Sequence, residues 1–133
     1  MIYAVIDTNV LVSALITHNP QSPTSKVVKL LLDGAFTPLY DYSMIEEYEE
    51  VLHRSKFRLM PGVADALISY ITENGIETSR NSFPEPMPDE DDRVFYEIAL
   101  SVEDSFLVTG NIKHYPSTPK VITPADFIDM VLK

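Results

Sequence analysis

The sequence predicts an α/β layered domain built on a mostly parallel sheet. Three observations carry that expectation. Short runs rich in β-branched residues alternate with amphipathic stretches along the chain. The strongest of them, residues 2–6, is a continuous β-branched and aromatic run rather than an alternating one, which suits a strand buried on both faces, and residues 105–109 read as a second strong buried strand. A chain of 133 residues, 45% of them hydrophobic, has the size and apolar content to bury one ordinary core. Residues 1–133 therefore read as one domain, with no internal repeat and no linker.

The first strand, 2–6, ends in Asp7-Thr8-Asn9, after which Val10, Leu11, Ala14 and Leu15 recur at helical spacing. Asp7 thus stands where a strand stops and a helix begins, with Thr8 available as its cap. Residues 18–24 read as a loop. A helix over 25–33 is expected to be buried through Val27, Val28, Leu30, Leu31 and Leu32, and to stop at Gly34. Residues 36–40 form the second strand. Ser43 is placed as the N-cap of a helix over 44–54. Glu46, Glu47, Glu49 and Glu50 crowd its first half, at the positive end of the helix dipole. Residues 63–72 form another amphipathic helix, stopped by Asn74-Gly75, and 76–78 a short strand.

Residues 82–88 hold three prolines and read as an irregular link. A helix over 89–102 follows, with Val94, Phe95, Ile98, Ala99 and Val102 inward. Asp89 is its expected N-cap, and Asp92, three residues on, takes the place of a capping-box acid. The strand 105–109 ends in Gly110-Asn111. A short strand, 121–123, leads to Pro124 at the first position of a last helix, with Phe127, Ile128, Val131 and Leu132 inward.

Composition excludes several classes of function. Without Cys there is no disulfide scaffold, thiolate zinc site, iron–sulfur cluster or Cys nucleophile. There is no G-x-S-x-G elbow and no phosphate-binding glycine loop. No apolar run approaches the roughly 20 residues of a membrane span, and the N-terminus lacks the features of a signal peptide. The expected location is the cytoplasm, with no membrane partner. Twenty acids against 10 bases give a formal charge of −10, which is not the footprint of a chain that grips nucleic acid by charge alone. Either the acids form a solvated surface, or some converge to hold cations that invert the local field.

In an open parallel sheet, sites form outside the carboxyl ends of the strands. Asp7 lies at such an end, where an unpaired carboxylate is costly unless it is hydrogen-bonded or metal-bound. Asn9 can fix the turn or hold that carboxylate. In the helix after Ser43, Glu47 lies on the margin of the apolar stripe and in an early turn, whereas Glu49 meets one condition and Glu46 and Glu50 point away. Any one of these acids is equally accounted for as a solvated dipole partner. Asp92 lies on the margin of the next apolar face, and convergence with Asp7 is what would lift it above an ordinary helix start. His18, His53 and His114 are scattered and read as surface or loop residues. A carboxylate cluster without His or Cys favours hard cations, Mg²⁺ or Mn²⁺, which suit phosphoryl chemistry. Arg54, Lys56 and Arg58, and Lys113 with His114 after the late strand, can guide a phosphate backbone or form a solvated basic turn.

Four segments share an order and spacing with a known family. They are Ile6-Asp7-Thr8-Asn9-Val10-Leu11, the stretch from Ser43 through Glu46-Glu47-Tyr48-Glu49-Glu50 to Leu52, Asp89-Glu90-Asp91-Asp92 leading to Ala99, and Leu107-Val108-Thr109-Gly110-Asn111. The sequence resembles the PIN-domain family over nearly its whole length. Its ending, Val121-Ile122-Thr123-Pro124-Ala125-Asp126-Phe127, is similar to the subgroup of toxins from toxin–antitoxin pairs. The resemblance implies a three-layer α/β/α sandwich and a Mg²⁺- or Mn²⁺-dependent ribonuclease. It places the catalytic, metal-holding acids on Asp7, Glu47 and Asp92, with Asn111 assisting and Asn9, Asp89 and Thr109 in support. RNA contacts fall to Lys113, Arg54 and Lys56. It also implies an RNA substrate, a cognate antitoxin and a homodimer. The family's fourth acid follows the Thr-Gly pair, where this chain has Asn111. An amide oxygen can ligate a metal but adds no charge, so a second ion is held less tightly unless Asp89 or Asp91 compensates. That departure motivates the alternative of a PIN-like RNA- or protein-binding module with weak or lost catalysis. A metal-dependent phosphatase is a third reading, against which Asn9 stands where a second acid would be needed.

Overall fold

The computed structural model describes all residues from Met1 to Lys133. Five strands, β1 (Tyr3–Ile6), β2 (Thr37–Tyr40), β3 (Ile76–Glu77), β4 (Phe106–Val108) and β5 (Val121–Ile122), form one sheet in the order β3-β2-β1-β4-β5, every pair parallel. The register sets Ile6 beside Val108 and Leu107 beside Val121. Six helices connect them: α1 (Thr8–Ile16), α2 (Pro23–Leu32), α3 (Tyr42–Leu52), α4 (Val63–Asn74), α5 (Arg93–Leu100) and α6 (Pro124–Leu132). α2 packs on α1 and α6, α3 packs on α4 and α5, and the architecture is the α/β/α sandwich expected of this alternation. No helix is long and apolar enough to cross a membrane.

β1 is central because it can be. Ala4, Val5 and Ile6 are fully enclosed, and so are Leu107 and Val108 of the neighbouring strand. Polar side chains on either face of such strands would lose their water without replacement. The inward residues of α3 (Met44, Ile45, Tyr48, Val51, Leu52) and α5 (Phe95, Ile98, Ala99) are buried as the spacing predicts.

Several local expectations need correction. Asp7 caps α1, and Asp41, not Ser43, caps α3, its Oδ1 accepting from the Met44 N–H at 2.9 Å. α2 begins at Pro23 under a Ser22 cap, two residues inside the expected loop. Leu32 and Leu132, expected inward, are 50% and 69% exposed, because each lies in the last turn of its helix. The expected helix over 89–102 is shorter and composite: a 3-10 turn over Glu90–Asp92 precedes α5. Asp92 makes no capping bond there; Asp89 caps the turn by accepting from the Asp91 N–H at 3.1 Å.

One glycine is dictated by proximity. Where α4 ends against β2, a Cβ on Gly75 would lie 2.5 Å from the Ile71 carbonyl oxygen and 2.6 Å from that of Pro38. Both obstacles are backbone and cannot swing aside. Gly75→Ala is expected to destabilise the fold by about 1–3 kcal/mol, lowering Tm by roughly 4–12 °C in a thermal melt. An unchanged Tm would show that α4 can slide off β2 freely.

Candidate active site

β1 delivers Asp7 to the carboxyl edge of the sheet with its side chain 2% exposed. A carboxylate so placed must find donors in place of water. Three are supplied. The Asn9 N–H donates to Oδ1 at 3.2 Å, and Oδ2 accepts from the Thr109 hydroxyl at 2.8 Å and from the Tyr115 phenol at 3.1 Å. Asn9 therefore acts through its backbone. Thr109 comes from the end of β4, which the register holds beside β1. Its oxygen also accepts from the Asn111 N–H at 3.0 Å, which shapes the turn after the strand. Burial, and next the charge of Asp7, push the Tyr115 phenol far above its ordinary range, so it remains a donor at any working pH.

α3 brings Glu47. Its neighbour Tyr48 is wholly buried and donates to the Ile6 carbonyl, which ties the helix to the last residue of β1. Glu47 projects from the margin of the buried face, half-buried, into a cavity of about 210 Å³. Asp7, Asp89, Asp91 and Asp92 line the same cavity, with Thr8, Asn9, Arg54 and His114. The three acids predicted from strand end and helix margin thus meet. Burial raises the Glu47 carboxyl above its ordinary value, and the charge of Glu50 adds to this. Burial, reinforced by Asp7 and Asp89, pushes Asp92 up to about 6 against the opposing pull of His114.

His114, expected in a loop after the late strand, is there, but its pairing with the acids was not expected. The chain has a 3-10 turn at Ile112–His114, and the imidazole Nδ1 lies 3.1 Å from Asp92 Oδ2 and 3.6 Å from Asp89 Oδ2. The cluster is therefore not free of His. Asp89, Asp92 and His114 each offer a donor atom within 4.8 Å of the others, a candidate metal-holding group. Tyr115 was also missed. Neither residue has a local signature; only the two turns after β4 bring them to Asp7 and Asp92.

The remaining predicted residues lie elsewhere around this centre. Asn111 is exposed and does not line the cavity. Arg54 lines it while paired with Glu50 at 2.7 Å. Lys56 is exposed, its ammonium 5.2 Å from the centre of the Phe57 ring. Lys113 is exposed and lines a separate cavity with Tyr115 and Val121.

The proline-rich link that presents Asp89 is pinned from beneath. Glu97 is buried on α5; its Oε1 accepts from Arg80 at 2.7 Å and its Oε2 from the Phe83 N–H at 2.9 Å. Burial alone would raise this carboxyl, but the Phe83 N–H and the Arg80 guanidinium outweigh it and hold it below the usual range. Arg93 adds bonds to the Phe83 and Glu85 carbonyls and to Glu90. Four fixed points hold an otherwise irregular segment.

The donor set suits a divalent cation. It is dominated by hard carboxylate oxygens whose mutual repulsion is only partly relieved, with one guanidinium and one imidazole against five acids around the cavity. Thr8, which also lines the cavity, is 5% exposed, and its hydroxyl has no partner. Buried hydroxyls are rarely left so.

No curated protein and no solved structure matches the chain. A family model described as the PIN domain matches residues 3–113, a span that holds Asp7, Glu47, Asp92 and the strand that carries Thr109. With its parallel sheet and its acids gathered at the carboxyl edge, this chain belongs to the PIN-domain family.

Proposed function

We propose that the chain is a Mg²⁺- or Mn²⁺-dependent endoribonuclease that hydrolyses RNA phosphodiester bonds to leave 5′-phosphates. The observation that carries this reading is the convergence of Asp7, Glu47 and Asp92 on one cavity. PIN domains are generally metal-dependent nucleases. Asp7, Glu47 and Asp92 would hold the cation, with Asp89 beside them. When bound, a divalent ion supplies neutralising charge and a Lewis acid for the oxygens of an in-line displacement at phosphorus.

The chain's own groups supply the rest. Thr109, Tyr115 and the Asn9 N–H fix the Asp7 carboxylate in one orientation, so no reorganisation is needed when substrate arrives. The Arg54–Glu50 pair is exposed on both sides, and such pairs contribute little. Arg54 is therefore free to exchange Glu50 for a backbone phosphate at the rim, with Lys56 and Lys113 as further exposed cations along the strand's path. Toxin activity, restraint by a small antitoxin that covers the cavity, and a homodimer belong to the same proposal. The likeness of residues 121–127 to the toxin subgroup supports the first two, and the homodimer rests on the resemblance to the family.

A second reading, a PIN-like binding module with weak turnover, is favoured by one observation: Asn111 adds no charge and stands outside the cavity. One experiment separates the two. Purified protein is incubated with single-stranded and structured RNA in Mn²⁺, then in excess EDTA, beside Asn111→Asp. Cleavage by the unmodified chain that stops with EDTA supports the nuclease. RNA binding without cleavage, converted to cleavage by Asn111→Asp, supports the module. Hydrolysis of a small phosphoester with RNA left intact would point to a phosphatase instead.

A further inference from the structure

We propose that His114 is a nitrogen ligand of a divalent ion, completing with Asp89 and Asp92 a donor set that favours Mn²⁺ over Mg²⁺. The inference rests on the reading of this cavity as a metal site, and it concerns which ion the site selects.

The geometry supplies one nitrogen and two oxygens from two separate turns. Nδ1 of His114 faces Oδ2 of both acids, at 3.1 and 3.6 Å, and one donor atom from each residue lies within 4.8 Å of the others. Asn111, which opens the same turn, is exposed and outside the cavity. His114 is therefore the group that this turn presents to the acids. An ion pair with His114 is the simpler account of the contact, but it leaves two features unexplained. The cavity still carries more carboxylates than cations, and Thr8, one of the residues that line it, has a buried hydroxyl with no partner. Both point to a further positively charged, oxygen-seeking occupant.

The ligand chemistry then decides between cations. Mg²⁺ takes oxygen donors in a near-ideal octahedron and keeps its waters, whereas imidazole nitrogen suits first-row transition ions. A carboxylate-dominated site with one nitrogen retains hard character and gains selectivity through that nitrogen alone. Removing it should therefore cost Mn²⁺ affinity while leaving Mg²⁺ affinity nearly unchanged.

The test uses the full, untagged chain, loaded with Mn²⁺ and examined by pulsed electron paramagnetic resonance for nitrogen hyperfine coupling. The histidines are His18, His53 and His114, and His53 is already engaged by Asp65 and by the Glu49 carbonyl. Coupling is expected in the unmodified protein and in His53→Gln, and none in His114→Gln. Titration should show Mn²⁺ affinity falling by at least about tenfold in His114→Gln, with Mg²⁺ affinity changing by less than about threefold. A circular dichroism melt confirms that this half-exposed position tolerates the change. Mn²⁺ bound without nitrogen coupling, coupling that survives His114→Gln, or equal losses for both cations would each overturn the proposal. RNA cleavage is scored on the same samples. Cleavage without coupling removes the His114 ligand and keeps the nuclease; coupling without cleavage does the reverse.

Discussion

Asp7→Asn is expected to lower RNA cleavage in Mn²⁺ by at least about 100-fold, because even groups one step removed from a metal commonly cost 10–100-fold when lost. The fold should survive. Asn caps a helix as well as Asp does; with its amide oxygen on the Asn9 N–H, its NH2 faces the Thr109 and Tyr115 hydroxyls, which can turn to accept from it. What changes is charge, and with it the grip on a cation. The charge of Asp7 also weighs on Asp92 and Glu47, so removing it relaxes both carboxyls. The apo variant should therefore melt no lower than the unmodified chain at neutral pH. Saturating Mn²⁺ at about 100 times its Kd should stabilise the unmodified chain by about 2.7 kcal/mol, and the variant by much less. Initial rates on single-stranded RNA, read beside melts with and without Mn²⁺, give both numbers. Equal rates from the two proteins would remove Asp7, and with it the nuclease, from consideration.

The second large effect is on pH. Asp92 sits at about 6, raised by burial and by Asp7 and Asp89. A proton there must leave before a cation can be held, so Mn²⁺ affinity should fall by about tenfold per unit as pH drops below 6, and level off above 7. In the absence of metal the sign for stability is the opposite. A carboxyl whose folded-state value is raised keeps its contribution below the unfolded value near 4 and loses it as pH rises to about 6. Asp92 is 15% exposed and borders an open cavity, so screening reduces the effect to about 1–2 kcal/mol. Asp92→Asn should therefore stabilise the apo protein at pH 7, leave it nearly unchanged at pH 4, and abolish the gain from Mn²⁺. Calorimetry at the two pH values checks all three. A variant less stable than the parent at pH 7 without metal would show that Asp92 is satisfied rather than strained.

The strand-end acid and the two acids on helix margins were legible because each reports on a local regularity. Asp7 interrupts a buried run, and Glu47 and Asp92 fall at a fixed rotation from an apolar stripe. The order of alternating elements likewise foreshadowed the parallel sheet. What was not legible depends on distance along the chain. Tyr115 meets Asp7 across 108 positions and His114 meets Asp92 across 22, and no periodicity encodes either contact. Glu97 reads as an ordinary acid on α5, and only the Phe83 N–H and the guanidinium of Arg80, both from the irregular link before it, make its burial tolerable. Caps were misassigned by one or two residues where two competent side chains stand close together, as Asp41 and Ser43 do. Leu32 and Leu132 show the limit of face-counting, since the last turn of a helix can overhang the core it approaches.

The long-range hydrogen-bonding partners of Asp7, at the end of the central strand, lie more than 100 positions further along the chain: Val108, Thr109 and Tyr115. Contacts of such long sequence separation form last, after the chain entropy of a large loop has been overcome. Before those contacts form, Asp7 has only the neighbouring Asn9 N–H to orient it. The geometry of the first acid is thus set late in folding, by the docking of a distant strand and the turn that follows it.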